Sequence, residues 1–282
     1  MDFFFAVPLG DLLLFAAFLA ALGVVAGFLA GLLGVGGGIV LVPGLSFIFA
    51  MMSERLGLEG VDLMHLSVGT SLAVIVPTGL SSALAHYRRG AVDFTLVGGI
   101  GAGVLVGVAI ATFIARDLSG DTMKMIFATA IVGLAGIMLI NPARFKLAEA
   151  MPGRPMQALA GLVIGGLSSL IGIGGATLSV PYMSLHNTPM HRAVGTASAL
   201  GLVIAVPAAI GFMIIGRGAD HLPPFSVGYV NFLAWVCIIP ISVSIAPLGV
   251  RVAHKVSVSK LRKVFAVFMI LVALNMWRKI LF

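Results

Sequence analysis

The chain has 282 residues, of which 60% are hydrophobic and only 10% charged, with a mean hydropathy of +1.16. A water-soluble domain covers itself with about 25% charged residues, so this composition excludes a soluble globular protein and requires lipid as solvent. The net charge of +7 reads as basic loops meeting anionic headgroups and not as a nucleic-acid surface, and the single cysteine, Cys237 in an apolar run, excludes a disulfide framework and a cysteine metal site.

The first apolar stretch is flanked by Asp2 and Asp11 where a signal peptide carries positive charge, and it runs beyond signal length. It is expected to stay in the mature protein. A membrane-crossing helix needs about 20 apolar residues. Long spans are predicted over 12–33, 66–85, 94–115, 123–140, 156–171, 193–215, 227–248 and 261–277. Two shorter apolar pieces, 39–52 and 177–185, fall short of a comfortable crossing. Each follows a glycine cluster and contains a proline, Pro43 or Pro181. Gly/Pro-interrupted segments at matching places in two halves point to a transporter site. The polar connections, the longest at 53–65, 141–155 and 249–260, leave no room for a soluble domain.

The two short pieces belong to an internal repeat. Residues 31–43 read GLLGVGGGIVLVP and residues 169–181 read SLIGIGGATLSVP, identical at six of 13 positions. A second match follows in the same order, HLSVGT at 65–70 and HRAVGT at 191–196. The expected fold is therefore an all-α polytopic membrane protein of two repeats, 1–145 and 146–282, forming one transmembrane domain. Each repeat holds five segments, four full spans and one short helix that either spans or re-enters and returns the chain to the side it came from. An odd number of segments inverts the second copy in the membrane.

Basic residues orient this arrangement. If each short piece returns the chain to the side it came from, one side gathers eleven lysines and arginines, among them Arg88, Arg89, Arg154, Arg192 and Arg251. The other gathers six, among them Arg55, Arg116, Lys124 and Arg217, which accounts for all 17. The positive-inside rule then puts both termini outside, in the periplasm of a bacterial inner membrane.

Non-helical backbone is tolerated at membrane depth only where protein buries it or water reaches it. Gly34, Gly36, Gly37 and Gly38 predict such a break, as do Gly172, Gly174 and Gly175. After each break a short helix begins near Ile39 or Thr177. Its first N–H groups lack intrahelical partners and sit at the positive end of the helix dipole, which makes an anion site. Two such ends facing each other would hold one anion without a buried lysine or arginine. Scattered glycines such as Gly98, Gly99, Gly101 and Gly103 read as helix packing.

Hydroxyls near the breaks are further candidates. Thr70 and Ser71, with Thr196 and Ser198, lie about two turns inside their helices, where they either donate to an anion or bond back into the helices. Ser46, Thr177 and Ser179 are weaker candidates, and Asn187 either caps or lines the end of the second short piece. His65 and His191 are read either as gating or proton-linked groups or as interfacial residues at helix starts. Arg192 stands at the same mouth, as an anion-gathering group or a solvated flank. No carboxylate lies deep in a span, so a buried Asp/Glu proton relay is not expected.

The runs GVGGGIVLVP and GIGGATLSVP, each followed by an xxVGT motif, closely resemble the TauE/SafE sulfite-exporter family over nearly the whole chain. The resemblance implies a secondary carrier of sulfite, organosulfonates or related small anions, often exported, with no cofactor or metal, and it implies a homodimer. Ala176 stands where the first copy has Gly38, so equal use of the two breaks does not follow. An anion channel or an uptake permease is the alternative within the same class. A membrane-embedded enzyme has little support, because neither HExxH nor a paired carboxylate motif occurs. An anchoring subunit gives the repeated breaks no purpose.

Overall fold

The computed structural model describes residues 8–33, 37–58, 60–140, 147–219, 222–253 and 258–281. The chain is helical almost throughout: α1 (Leu9–Leu33), α2 (Gly38–Met51), α3 (Ser53–Leu56), α4 (Leu63–Arg88), α5 (Phe94–Ala115), α6 (Gly120–Ile140), α7 (Arg154–Leu170), α8 (Ala176–Leu185), α9 (Met190–Ile215), α10 (Phe232–Ala253) and α11 (Val258–Leu281). Among the described residues, six helices, α1, α4, α5, α6, α9 and α10, are long and apolar enough to cross a bilayer. Helix α7, with 17 residues, is about 26 Å long at about 1.5 Å per residue, close to the hydrocarbon thickness.

Two departures from the expected elements occur. The predicted span 227–248 starts later, at Phe232. Ahead of it, β1 (Ser226–Val227) pairs antiparallel with β2 (Val230–Asn231) across a turn. Gly228 makes that turn possible: its φ is +53°, and a Cβ there would run into the carbonyl of Met213. The connection predicted at 53–65 also contains the single-turn helix α3.

The most extensive helix contacts are α5 with α7, α1 with α10, α4 with α9, and α6 with α11. When α1, α2, α4, α5 and α6 are matched to α7, α8, α9, α10 and α11, the contacts exchange onto one another. The α5–α7 pair becomes α10–α1, and α4–α9 and α6–α11 map onto themselves. The close seams are made by glycines. A Cβ on Gly103 would overlap the carbonyl of Ala158, and one on Gly161 that of Ile100. Gly99 likewise packs on Gln157, whereas Gly98 has open space around it. Small residues thus let helix backbones approach where lipid supplies no hydrophobic drive between helices.

The VGT motifs fasten the halves together. The Thr196 hydroxyl accepts the Asp93 amide at 3.0 Å, and the Thr70 hydroxyl accepts the Asn231 amide at 3.0 Å. Asp93 caps α5, its carboxylate accepting from the amides of Thr95 and Leu96 at 3.0 and 3.3 Å. Asn231 caps α10 by accepting from the Ala234 amide at 2.8 Å. The glycine of each motif explains itself in the same way. A Cβ on Gly195 would strike the Ala91 carbonyl and one on Gly69 the Tyr229 carbonyl, in each case two residues before the cap. Each half's crossing helix therefore grips the capped start of a helix in the other half.

We expect Gly69→Ala and Gly195→Ala to destabilise the protein by about 1–3 kcal/mol through overpacking. Thr196→Val should cost about 1–3 kcal/mol by leaving a buried amide unpaired. Gly133→Ala, with open space around its position, should not lower stability. Thermal unfolding of purified protein in detergent reads all four, and equal behaviour of Gly195→Ala and Gly133→Ala would remove the clasp.

Candidate functional site

The second glycine cluster interrupts the helix in the manner expected. Helix α7 ends at Leu170 and α8 begins at Ala176. Between them Gly172 takes φ +65°, a left-handed backbone that a side chain disfavours. In the first cluster Gly34 and Gly36 lie outside the described residues. Gly37 has φ +58° and opens directly onto α2. Its repeat partner Gly175 has φ −55°, so the two breaks differ in local conformation.

The breaks meet. A Cβ on Gly38 would lie 2.8 Å from the Gly172 carbonyl oxygen and 3.0 Å from the Ile173 Cα. The Ser71 hydroxyl donates to that same Gly172 oxygen at 2.9 Å, fully buried. Gly174 lies beside Ile75 of α4, and Gly175 packs on Gly201 and Ile204 of α9. The start of α2 and the break that leads into α8 are thus in van der Waals contact, framed by the two central helices. Gly38, Gly172, Gly174, Gly175 and Ser71 form one assembly.

Helix α8 is unusual in its buried polar groups. The hydroxyls of Thr177, Ser179, Tyr182 and Ser184 have no hydrogen-bond partner among the described residues. Ser179 is fully buried and Thr177 is 8% exposed. Buried hydroxyls are nearly always paired, by protein or by water or ligand. The matching positions of α2 are Ile39, Leu41, Gly44 and Ser46, so the first short helix lacks this hydroxyl set. Ser46 lies apart, on the wall of a cavity of about 590 Å³ that α2 shares with the starts of α4 and α6 and the end of α11.

Other sequence-predicted residues are placed elsewhere. Thr70 and Thr196 accept the cap amides of α10 and α5. Ser198 donates back to the Val194 carbonyl at 3.0 Å and meets Ser82 of α4 at 3.1 Å. Asn187 closes α8 with φ +59°, and its amide reaches the Glu149 carbonyl at 3.3 Å. His191 is exposed, and Arg192 lies 3.5 Å from the Asp93 carboxylate. His65, its counterpart in the first half, is 1% exposed and touches the Ala115 carbonyl at 2.7 Å.

Sequence reasoning missed Asp93 and Asn231, the caps that the threonines hold. A signal existed: Val92-Asp93-Phe94 and Val230-Asn231-Phe232 repeat with the same 138-residue offset as Gly34 and Gly172. It also missed Asp62, which lines the cavity and accepts the Gly120 amide at 3.2 Å. Asp62 bears on the Tyr229 phenol, whose pKa is raised by burial first and by that carboxylate second. Among the described residues no group of His, Cys, Asp and Glu is arranged to hold a metal ion.

The chain is similar to several proteins over most of its length. A "Probable membrane transporter protein" of Haemophilus influenzae is 32% identical over 257 residues, covering 91% of this chain and 96% of the relative. A "Probable membrane transporter protein" of Bacillus subtilis is 28% identical, covering 90% and 94%. One from Methanocaldococcus jannaschii is 26% identical, covering 89% and 91%. Residues 19–276 match the family described as "Sulfite exporter TauE/SafE". With its apolar helices, its repeated glycine breaks and that match across most of its length, the chain belongs to the TauE/SafE family of membrane transporters.

Proposed function

We propose that this protein is a secondary carrier that exports a small sulfur-containing anion, sulfite or an organosulfonate, held where α2 and α8 begin. The observation that carries the reading is the contact of Gly38 with Gly172 and Ile173, which brings two helix breaks together in the protein interior. Amides at the start of each short helix supply partial positive charge. Thr177 and Ser179 of α8 supply hydroxyl donors, and Ser71 holds the second break in shape. Thr70, Thr196 and Ser198 enter as supports of the scaffold, not as ligands. A sulfonate, with three acceptor oxygens and one charge, suits such a site.

The carrier consists of two inverted five-segment repeats. The exchange of helix contacts between halves supports this. Helices α2 and α8 each bring the chain back to the side from which α1 and α7 started, and both termini face the periplasm of the inner membrane. Alternating access then consists of the halves rocking about the fixed site. An anion leaving a cell that is negative inside is driven by about 2.3 kcal/mol per charge per 100 mV.

Purified protein in liposomes is expected to move labelled sulfite, sulfoacetate or taurine, and a panel of such anions without flux or binding would overturn the reading. Electrical recording separates a carrier from a channel, whose currents exceed carrier turnover by orders of magnitude. Thr177→Val and Ser179→Ala should each weaken anion binding about tenfold, the equivalent of about 1.4 kcal/mol. Gly172→Ala should abolish transport, because its φ is left-handed and its Cβ would meet a Val42 methyl at 2.7 Å. For topology, Arg55→Cys in a Cys237→Ser background should react with an impermeant maleimide on intact cells, and Arg154→Cys only after permeabilisation. The reverse pattern would invert the assigned orientation.

A further inference from the structure

We infer that His65 is the proton-binding group of this transporter, and that with Asp62 it couples protonation to the α5–α6 turn at the mouth of the cavity. The inference deepens the reading of the protein as an anion carrier and rests on it for the coupling, but not for proton binding itself.

The tautomer of His65 follows from its partner. Nε2 lies 2.7 Å from the Ala115 carbonyl oxygen, which only accepts, so Nε2 carries a hydrogen. In the neutral ring Nδ1 is then a bare acceptor. It is buried and has no hydrogen-bond partner among the described residues, and Asp62 Oδ2 lies 4.0 Å from it. Two acceptors face each other at a distance too long for a hydrogen bond. A proton on Nδ1 turns this opposition into a charge-assisted hydrogen bond. Imidazole is the side chain whose charge ordinarily changes between about pH 5 and 8.

The surroundings leave Asp62 as the answering group. The Tyr229 ring lies 5.1 Å from the imidazole and the Phe212 ring of α9 lies 6.3 Å away. Among the described residues, Tyr229 and Asp62 are the titratable groups closest to it. On α6, Asp121 and Lys124 neutralise each other at 2.7 Å, and Arg116 and Asp117 of the turn are exposed. Asp62 is 46% exposed on the cavity wall, next to Ser119, Asp121 and Lys124. Water and protons therefore reach the pair by way of the carboxylate.

The pair also holds both ends of the α5–α6 turn. His65 holds the Ala115 carbonyl at the end of α5, and Asp62 holds the Gly120 amide at the start of α6. Drawing Asp62 onto a protonated imidazole pulls on both ends of the turn that borders the cavity. The cavity runs along α2 from Ala50 to Val40, two residues from the contact with Gly172. In the second half His191 is exposed, so the device is built on one side only.

The test uses the full chain. With ¹⁵N-histidine labelling, the signal lost in His65→Gln identifies His65. We expect its Nδ1 to take up a proton as the pH is lowered while the Nε2 hydrogen persists, and an Nδ1 that stays bare as the pH is lowered overturns the proposal. In liposomes, methanesulfonate is the probe because it stays ionised throughout. An imposed proton gradient should change its flux about tenfold in wild type and His191→Gln, and should have no effect in His65→Gln or Asp62→Asn. Asp62→Asn keeps an oxygen for the Gly120 amide, so it remains informative if His65→Gln fails to fold. Gradient-sensitive flux retained in both variants overturns the coupling. A wild-type protein that moves no anion overturns the carrier reading instead, and the titration still decides proton binding.

Discussion

Unpaired backbone groups cannot be left in hydrocarbon, and this constraint shapes the centre of the molecule. The break between α7 and α8 has to be buried in protein, and so does the start of α2. They are buried against each other: Gly38 lies on the Gly172 carbonyl, and Ser71 donates to the same oxygen. The absence of a side chain at Gly38 is what permits the approach. The proposed anion site follows from that meeting, because it sets the start of α2 against the break that leads into α8.

The meeting is held by the crossing of α4 and α9. Each offers one face to the breaks and another to the opposite half. Val68, Ser71 and Ile75 of α4 line the breaks, while Gly69 and Thr70 clasp the start of α10. In α9, Gly201 and Ile204 pack on the break, while Gly195 and Thr196 clasp the start of α5. A motif that reads as a binding signature in sequence is thus a joint between halves. Its threonines accept hydrogen bonds from backbone amides, which fixes the helices that frame the site.

The two halves share a scaffold but not a chemistry. Helix α8 carries the unpartnered hydroxyls, and α2 is apolar at three of the four matching positions. The histidine of the first half is buried beside Asp62, and that of the second is exposed. A repeated backbone fits the two related conformations that alternating access requires, and the proposals assign the solute to one half and the proton to the other.

Much of this was legible in the chain. Composition required lipid, apolar length located the spans, and α5 lies over the predicted 94–115. The repeated glycine runs marked the breaks, because glycine clusters and short apolar pieces leave a linear trace. Partner choice leaves none. Nothing in HLSVGT says that its threonine reaches an amide 161 residues away, or that its histidine is buried while its repeat partner is not. The sequence by itself determined that helices are broken in a membrane. Only the tertiary structure decided that the breaks touch and which hydroxyls are left without partners, because contacts between distant segments depend on how helices cross, not on the residues beside them in the chain.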